Sequence, residues 1–258
     1  MNSSKKVCLV TQDFFPIIGG IASYLLSIYR KYFKSTNFQV IVPESIGNKE
    51  EFDKLPFIVH TTKFAPFNFK DETRDECNKE ILNIIKSINP QVILFGYLRS
   101  HSEVGLKYQE INPECTVAIF THAKEIFLDK SLISQTNIQG SHKGYTLQEQ
   151  RFYKSILNSV DFIFAVSEFT KRILRSQNIN SPIIILNPPI KRMQQLSKES
   201  ARSYLDISNE DLVLLSVGRL IKRKGQAKIV KIIPELKKSF PHLKYFIVGG
   251  GPEFNSLQ

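Results

Sequence analysis

Hydrophobic and polar positions follow two rhythms along this chain. Short, nearly continuous apolar runs recur at Val7–Val10, Gln39–Val42, Phe57–Val59, Val92–Phe95, Val117–Phe120, Phe162–Val166, Ile183–Leu186, Leu212–Val217 and Tyr245–Val248. Runs of this length that do not alternate predict strands covered on both faces. Between them the apolar spacing turns helical. Ile21, Tyr24, Leu25, Ile28, Tyr29, Tyr32 and Phe33 fall on one helix face. Ile81, Leu82, Ile84, Ile85 and Ile88 predict a second helix, stopped by Asn89-Pro90. Ser167 predicts the N-cap of a helix through Arg175, with Glu168 in its first turn. Ile229, Val230, Ile232 and Ile233 predict another, which Pro234 should kink or end early.

Strands alternating with helices predict an α/β chain with a parallel sheet. The rhythm breaks at Asn187-Pro188-Pro189, and the stretch behind it is polar. The expected organisation is a Rossmann-like domain over 1–190, a linker over 191–211, and a second domain over 212–258 represented by one β-α-β unit.

Composition narrows the classes. Of 258 residues 42% are apolar, enough for a sizeable core. Three scattered cysteines, Cys8, Cys77 and Cys115, form neither a disulfide framework nor a metal spacing, so free thiols are expected, with Cys8 and Cys115 in strands. Neither a metal nor a cofactor is expected. No apolar run approaches a membrane span, and Val7–Val10 behind Lys5 and Lys6 is too short for a secretory signal. A cytoplasmic chain is expected, with peripheral contact at the inner face of the membrane left open. The formal net charge is +11, unevenly placed: 19 basic against 18 acidic residues in 1–170, and 16 against 6 in 171–258. That excess favours anionic partners, phosphates or an acidic membrane face. No nucleic-acid motif accompanies it, and no nucleic-acid partner is expected.

Four constellations carry chemistry. Phe15-Pro16-Ile17-Ile18-Gly19-Gly20-Ile21 lies between the first strand and the first helix, where bare backbone and helix amides suit a diphosphate; a simple tight turn would also use such glycines. Thr121-His122-Ala123-Lys124-Glu125 lies past a strand end, where α/β sheets build their sites; His60, His101, His142 and His242 have no such context. Gly218-Arg219-Leu220-Ile221-Lys222-Arg223-Lys224-Gly225 follows a strand and enters a helix, with Arg219 able to fork phosphate oxygens and Lys224 adding a point charge. Gly249-Gly250-Gly251-Pro252 follows the last strand, as a close-approach loop or a turn.

In order, P-x-x-G-G-I, Val166–Leu174 (VSEFTKRIL), Asn187–Ile190 (NPPI), Val217–Gly225 (VGRLIKRKG) and Ile247–Pro252 (IVGGGP) resemble the family 4 glycosyltransferases over nearly the whole chain. The resemblance implies a GT-B-like fold and sugar transfer from a nucleotide-diphospho-sugar, with retention, to a hydroxyl of a glycan or lipid-linked acceptor in polysaccharide, lipopolysaccharide or glycolipid synthesis. It implies that Gly19, Gly20, Arg219 and Lys224 hold the donor diphosphate. It places His122 near the donor sugar and matches Glu125 to an acidic residue that often follows that histidine. The family's Glu-x7-Glu motif, which contacts donor sugar and ribose, does not occur before Gln258. The expectation is therefore a chain truncated within its donor domain, gripping phosphate but without base recognition or measurable transfer. The rival class is a non-catalytic basic protein on anionic membrane or nucleic acid.

Overall fold

The structure, a computed structural model, describes residues 5–17, 19–32, 37–63, 73–122, 124–129, 145–189 and 195–258. Ile18, Phe33, Ala123, His142 and Ile190, named above, fall outside the described residues. The chain divides into two compact units, Met1–Ile190 and Lys191–Gln258.

In chain order the first unit runs β1 (Val7–Val10), α1 (Gly20–Tyr32), β2 (Phe38–Pro43), α2 (Lys49–Phe52), β3 (Ile58–Thr62), α3 (Arg74–Ile88), β4 (Val92–Phe95), α4 (Glu103–Ile111), β5 (Thr116–Thr121), α5 (Leu147–Ser159), β6 (Phe162–Ala165), α6 (Glu168–Ser176) and β7 (Ile183–Ile185). Among the described residues seven strands form one sheet in the order β3-β2-β1-β4-β5-β6-β7. Each neighbouring pair is parallel. The order reverses between β1 and β4, which in doubly wound sheets is where the crevice for ligands opens.

Side chains alternate across this sheet. Cys8, Val10, Ile93, Phe95, Val117 and Ile119 face α3, α4, α5 and α6, meeting Ile81, Ile85, Tyr108, Ile156 and Leu174. Val7, Leu9, Val40, Val42, Leu94 and Phe120 pack with Tyr24, Leu25, Ile28 and Tyr29 of α1. Each such buried aliphatic side chain stabilises by about 1.5–3 kcal/mol, and both layers draw on every central strand. The helix stops are local. Asn89 takes the left-handed conformation at φ 50° and donates to the Ile85 carbonyl. Ser167 accepts from the Thr170 amide and starts α6.

The second unit contains α7 (Lys198–Tyr204), β8 (Leu212–Val217), α8 (Gln226–Ser239), β9 (Leu243–Val248) and α9 (Phe254–Leu257). β8 and β9 pair in parallel, Leu212 with Leu243 through Val217 with Val248.

Several sequence expectations need correction. The stretch read as linker contains α7, capped by the Ser197 side chain on the Ser200 amide. α8 continues through Pro234 to Ser239. Proline in a helix interior costs about 3 kcal/mol, but α8 packs on β9 and that packing outweighs the lost bond. Cys115 precedes β5 by one residue, although it is buried as expected. Tyr32 is exposed at the end of α1, beyond the reach of the sheet. β8 and β9 are not covered on both faces: Leu212, Leu215, Val217 and Val248 are exposed.

Candidate functional site

In the first unit the strand ends set the site. β5 delivers Thr121, and the chain then turns through His122 into a short helical turn at Lys124–Ile126. The His122 amide donates to Oε1 of Glu125 at 2.5 Å, closing that turn. Glu125 is buried, at 8% exposure. Its carboxylate thus holds the backbone that presents His122. The His122 ring donates from Nε2 to the Gly96 carbonyl at 2.8 Å, since a carbonyl only accepts. Nδ1 has no hydrogen-bond partner among the described residues. The ring also meets Tyr24 of α1 edge-on, centroids 5.4 Å apart. The Tyr24 hydroxyl in turn donates to the Leu186 carbonyl at 2.6 Å, and burial pushes that phenol well up.

A cavity of about 440 Å³ opens here, lined by Gly20, Ser23, Tyr24, His122, Val166 and Pro188 among others. Gly20 and His122, far apart in sequence, therefore share one pocket. Gly20 begins α1, whose first amides lack intrahelical acceptors and suit an anion. A Cβ added at Gly19 or Gly20 would meet nothing within 4 Å. These glycines answer no crowding within the chain; they leave bare backbone facing open space.

Sequence reasoning missed the loop after β4. Gly96 lies so close to β1 that a Cβ would sit 2.4 Å from Thr11 Oγ1. Tyr97 donates to Gln12 Oε1 at 2.5 Å, and burial pushes its phenol up to about 12. The Arg99 guanidinium lies 4.8 Å from the centre of the Tyr97 ring. The only available signal was that this loop follows a strand, and its importance appears only once β4 is known to sit beside β1.

In the second unit two glycine loops zip together. Gly218 donates to Val248, and Leu220 to Gly250, both at 2.9 Å. Gly249 has φ 153°, and a Cβ there would lie 2.0 Å from the Gly218 carbonyl oxygen; at Gly251 it would lie 2.5 Å from that of Leu220. At Gly249 and Gly251 the glycine run is thus a backbone-to-backbone crossing that excludes a side chain. It fixes the turn carrying Arg219 and Lys224. Both are exposed, and among the described residues neither has a carboxylate partner. Lys224 lies along the Gly218 turn, its Cε 3.9 Å from where a Cβ on Gly218 would be. Two cations are thereby set on one short loop at the strand end. Among the described residues no group of three or more His, Cys, Asp or Glu is placed to hold a metal.

The sheet order defines a doubly wound, parallel α/β domain with its loops gathered at the strand ends. A solved structure with the same fold is Anabaena Alr3699/HepE in complex with UDP and glucose, 16% identical with a TM-score of 0.61, covering 98% of this chain and 63% of that one. Residues 197–258, which include Arg219, Lys224 and the glycine crossing, match the family described as glycosyl transferases group 1. The chain is similar to a phosphatidylinositol N-acetylglucosaminyltransferase component of Arabidopsis thaliana, 21% identical over 98% of this chain and 54% of the relative. It is also similar to a GDP-mannose-dependent alpha-(1-6)-phosphatidylinositol monomannoside mannosyltransferase of Mycolicibacterium smegmatis, 23% identical over 97% and 62%. The chain has a GT-B-like α/β fold, its residues 197–258 match the group 1 glycosyl transferases, and over nearly its whole length it is similar to glycosyltransferases. It spans between about half and two thirds of the length of these relatives.

Proposed function

We propose that this chain serves in the transfer of a sugar from a nucleotide-diphospho-sugar to a hydroxyl of a lipid-linked acceptor, with retention at the anomeric carbon. The observation that supports this best is the Arg219–Lys224 loop, two cations without carboxylate partners on a turn locked by the glycine crossing, inside the family-matched segment. In this reading the bond between the anomeric carbon and the diphosphate breaks, and a bond to the acceptor oxygen forms. Charge develops on the departing diphosphate, and Arg219 and Lys224 offset it as preorganised donors, with no metal or cofactor required. Within the first unit the Gly19–Gly20 backbone and the first amides of α1 receive an anionic group. His122 orients the sugar through Nδ1, its Nε2 being committed to Gly96. Glu125 is a positioning residue that holds the His122 turn.

A lipid-linked acceptor is favoured because both relatives named above act on phosphatidylinositol or its mannoside by name. The basic excess of the last third suits peripheral contact with an anionic membrane face, on the cytoplasmic side, and no helix among the described residues is long and apolar enough to cross a membrane. The rival reading, a basic binding protein without transfer, lacks such support, since the family match falls on the basic loop itself.

The test is calorimetric titration of residues 1–258 with UDP, GDP and their sugar conjugates, alongside a turnover assay. Binding that disappears in Arg219→Ala supports the assignment. Binding indifferent to Arg219→Ala and Lys224→Ala sinks it. Steady turnover by residues 1–258 would uphold the function and overturn the expectation that donor recognition lies outside them.

A further inference from the structure

Arg99 stands on the loop that leaves β4, at the reversal point of the sheet. It is half-buried, and its Nε is buried with no hydrogen-bond partner among the described residues. The neighbouring Ser100 is fully buried, and its Oγ likewise has no partner among them. Arg74, also half-buried, is paired with the carboxylate of Glu103 at 2.7 Å. Arg99 has no carboxylate within ion-pair distance among the described residues. Glu125 contributes to its electrostatic surroundings, yet a carboxylate oxygen of Glu125 is committed to the His122 amide. Burial works against the charge, but Tyr97, Tyr145 and Glu125 outweigh it and keep the guanidinium cationic.

A half-buried cation whose hydrogen-bonding neighbour is a phenol and not a carboxylate is under-compensated, and a buried donor without an acceptor is costly. Both costs vanish if a ligand brings an anion. The position agrees: Gly96, three residues before Arg99, holds the His122 ring, so Arg99 belongs to the same set of strand-end loops as the proposed sugar-facing histidine. Its planar fork matches two oxygens of one phosphate.

We propose that Arg99 is an acceptor-binding residue that takes a phosphate group carried by the acceptor, with Tyr97 stacked beneath the guanidinium as its platform. This rests on the transfer reading above. The phosphate chemistry is shared by a lipid headgroup and a free phosphate ester.

The experiment is an NMR titration of the whole chain, following the Tyr97 ring and Arg99 Nε–H signals. The probes are inorganic phosphate and dihexanoyl phosphatidylinositol; Arg219→Ala/Lys224→Ala silences the loop of the second unit, and the Gly20 amide signal reports separately on anion binding at the start of α1. Saturable shifts are expected at both signals, with affinity about tenfold weaker in Arg99→Gln and less reduced in Arg99→Lys. Saturation by inorganic phosphate marks a free ester as sufficient; saturation by the lipid alone marks a headgroup. Silence of both signals with both probes overturns the proposal, as does unchanged affinity in Arg99→Gln. Should Arg99→Gln fail to fold, the titration with Arg99 intact decides the matter. UDP and GDP binding by the unaltered chain is read in parallel. Its loss would sink the transfer reading, whereas a silent Tyr97 with intact nucleotide binding sinks only the role of Arg99.

Discussion

β1 and β8 look alike as sequence, Val-Cys-Leu-Val against Leu-Val-Leu-Leu-Ser-Val, yet they live differently. Every residue of β1 is buried, between β2 and β4 and beneath helices on both faces. In β8, Leu215 is 62% and Val217 71% exposed. Among the described residues β8 has one neighbouring strand. An apolar run therefore specifies a strand, while the number of neighbours decides how much water it loses. Stability is concentrated in the first unit. The Arg219–Lys224 loop sits in the second, where a local backbone crossing replaces a deep core as the source of order.

The largest difference should appear on cutting the two regions equally. Phe95→Ala removes a fully buried ring from the first unit and should cost about 3–5 kcal/mol in urea unfolding. Leu215→Ala should cost under about 1 kcal/mol, because much of that side chain already meets water. Equal losses would mean that Leu215 is covered in solution and that the contrast is false.

The backbone crossing predicts the next largest effect. Gly249→Ala places a methyl against the Gly218 carbonyl at a positive φ and should cost the second unit about 1–3 kcal/mol. It should also weaken UDP binding by moving the Arg219 turn. Gly250→Ala meets nothing within 4 Å and should change neither. Hydrogen exchange over 212–217 and 243–248 reads both variants, and parity between them would remove the crossing as the organising feature.

Much of this contrast was legible beforehand. All nine strand runs are strands, because continuous apolar stretches bounded by polar ones have few other uses in an α/β chain. Asn89 and Ser167 marked helix ends through their own side-chain and backbone preferences. α5 was missed although Thr146 and Glu149 form a capping box, a signal visible in the letters. The runs of β8 and β9 do not themselves reveal their coverage, which depends on neighbours; the single β-α-β unit of the second domain is the feature that predicts a bare apolar edge there, and Leu212, Leu215, Val217 and Val248 are exposed. The place of His122 past a strand end is legible in the letters, whereas the donation of its Nε2 to Gly96 and the support from Glu125 are three-dimensional facts. Arg99 was invisible because its meaning comes from the strand order.

Alkali should act on the first unit. Burial first, and the charge of Asp13 and Glu125 besides, raise Tyr97 to about 12 against the opposing pull of Arg99. A group raised in the folded state stabilises fully below its unfolded value, about 10 for tyrosine, and that share is lost as pH rises toward 12. Unfolding followed from pH 9.5 to about 11.5 should show a decline that is shallower in Tyr97→Phe. An identical slope in the variant would place the alkaline sensitivity elsewhere.

Acid should act on the second unit, with the smallest effect of all. Asp211 opens β8 and accepts from Lys244 Nζ at 2.7 Å and from the Ser208 amide at 2.8 Å. Lys244 chiefly, with Ser208 assisting against desolvation, holds this carboxyl below its ordinary value. A group lowered in the folded state stabilises fully above its unfolded value, near 4, and that stabilisation fades as pH falls below it. The pair ties β8 to β9 at their N-terminal ends, since Lys244 is the residue after Leu243, the partner of Leu212. Lowering the pH from 5 to about 3 should therefore lower amide protection in 212–217, measured relative to the intrinsic exchange rate at each pH, by more than in β1. Asp211→Asn should lower that protection already at pH 5 and make it less dependent on pH. The Ser208 amide can still bond to the asparagine oxygen, so the pH sensitivity that the variant loses isolates the ion pair with Lys244. If the variant keeps the full acid response, Asp211 is not the group that acid reads, and the second unit owes its order to the glycine crossing alone.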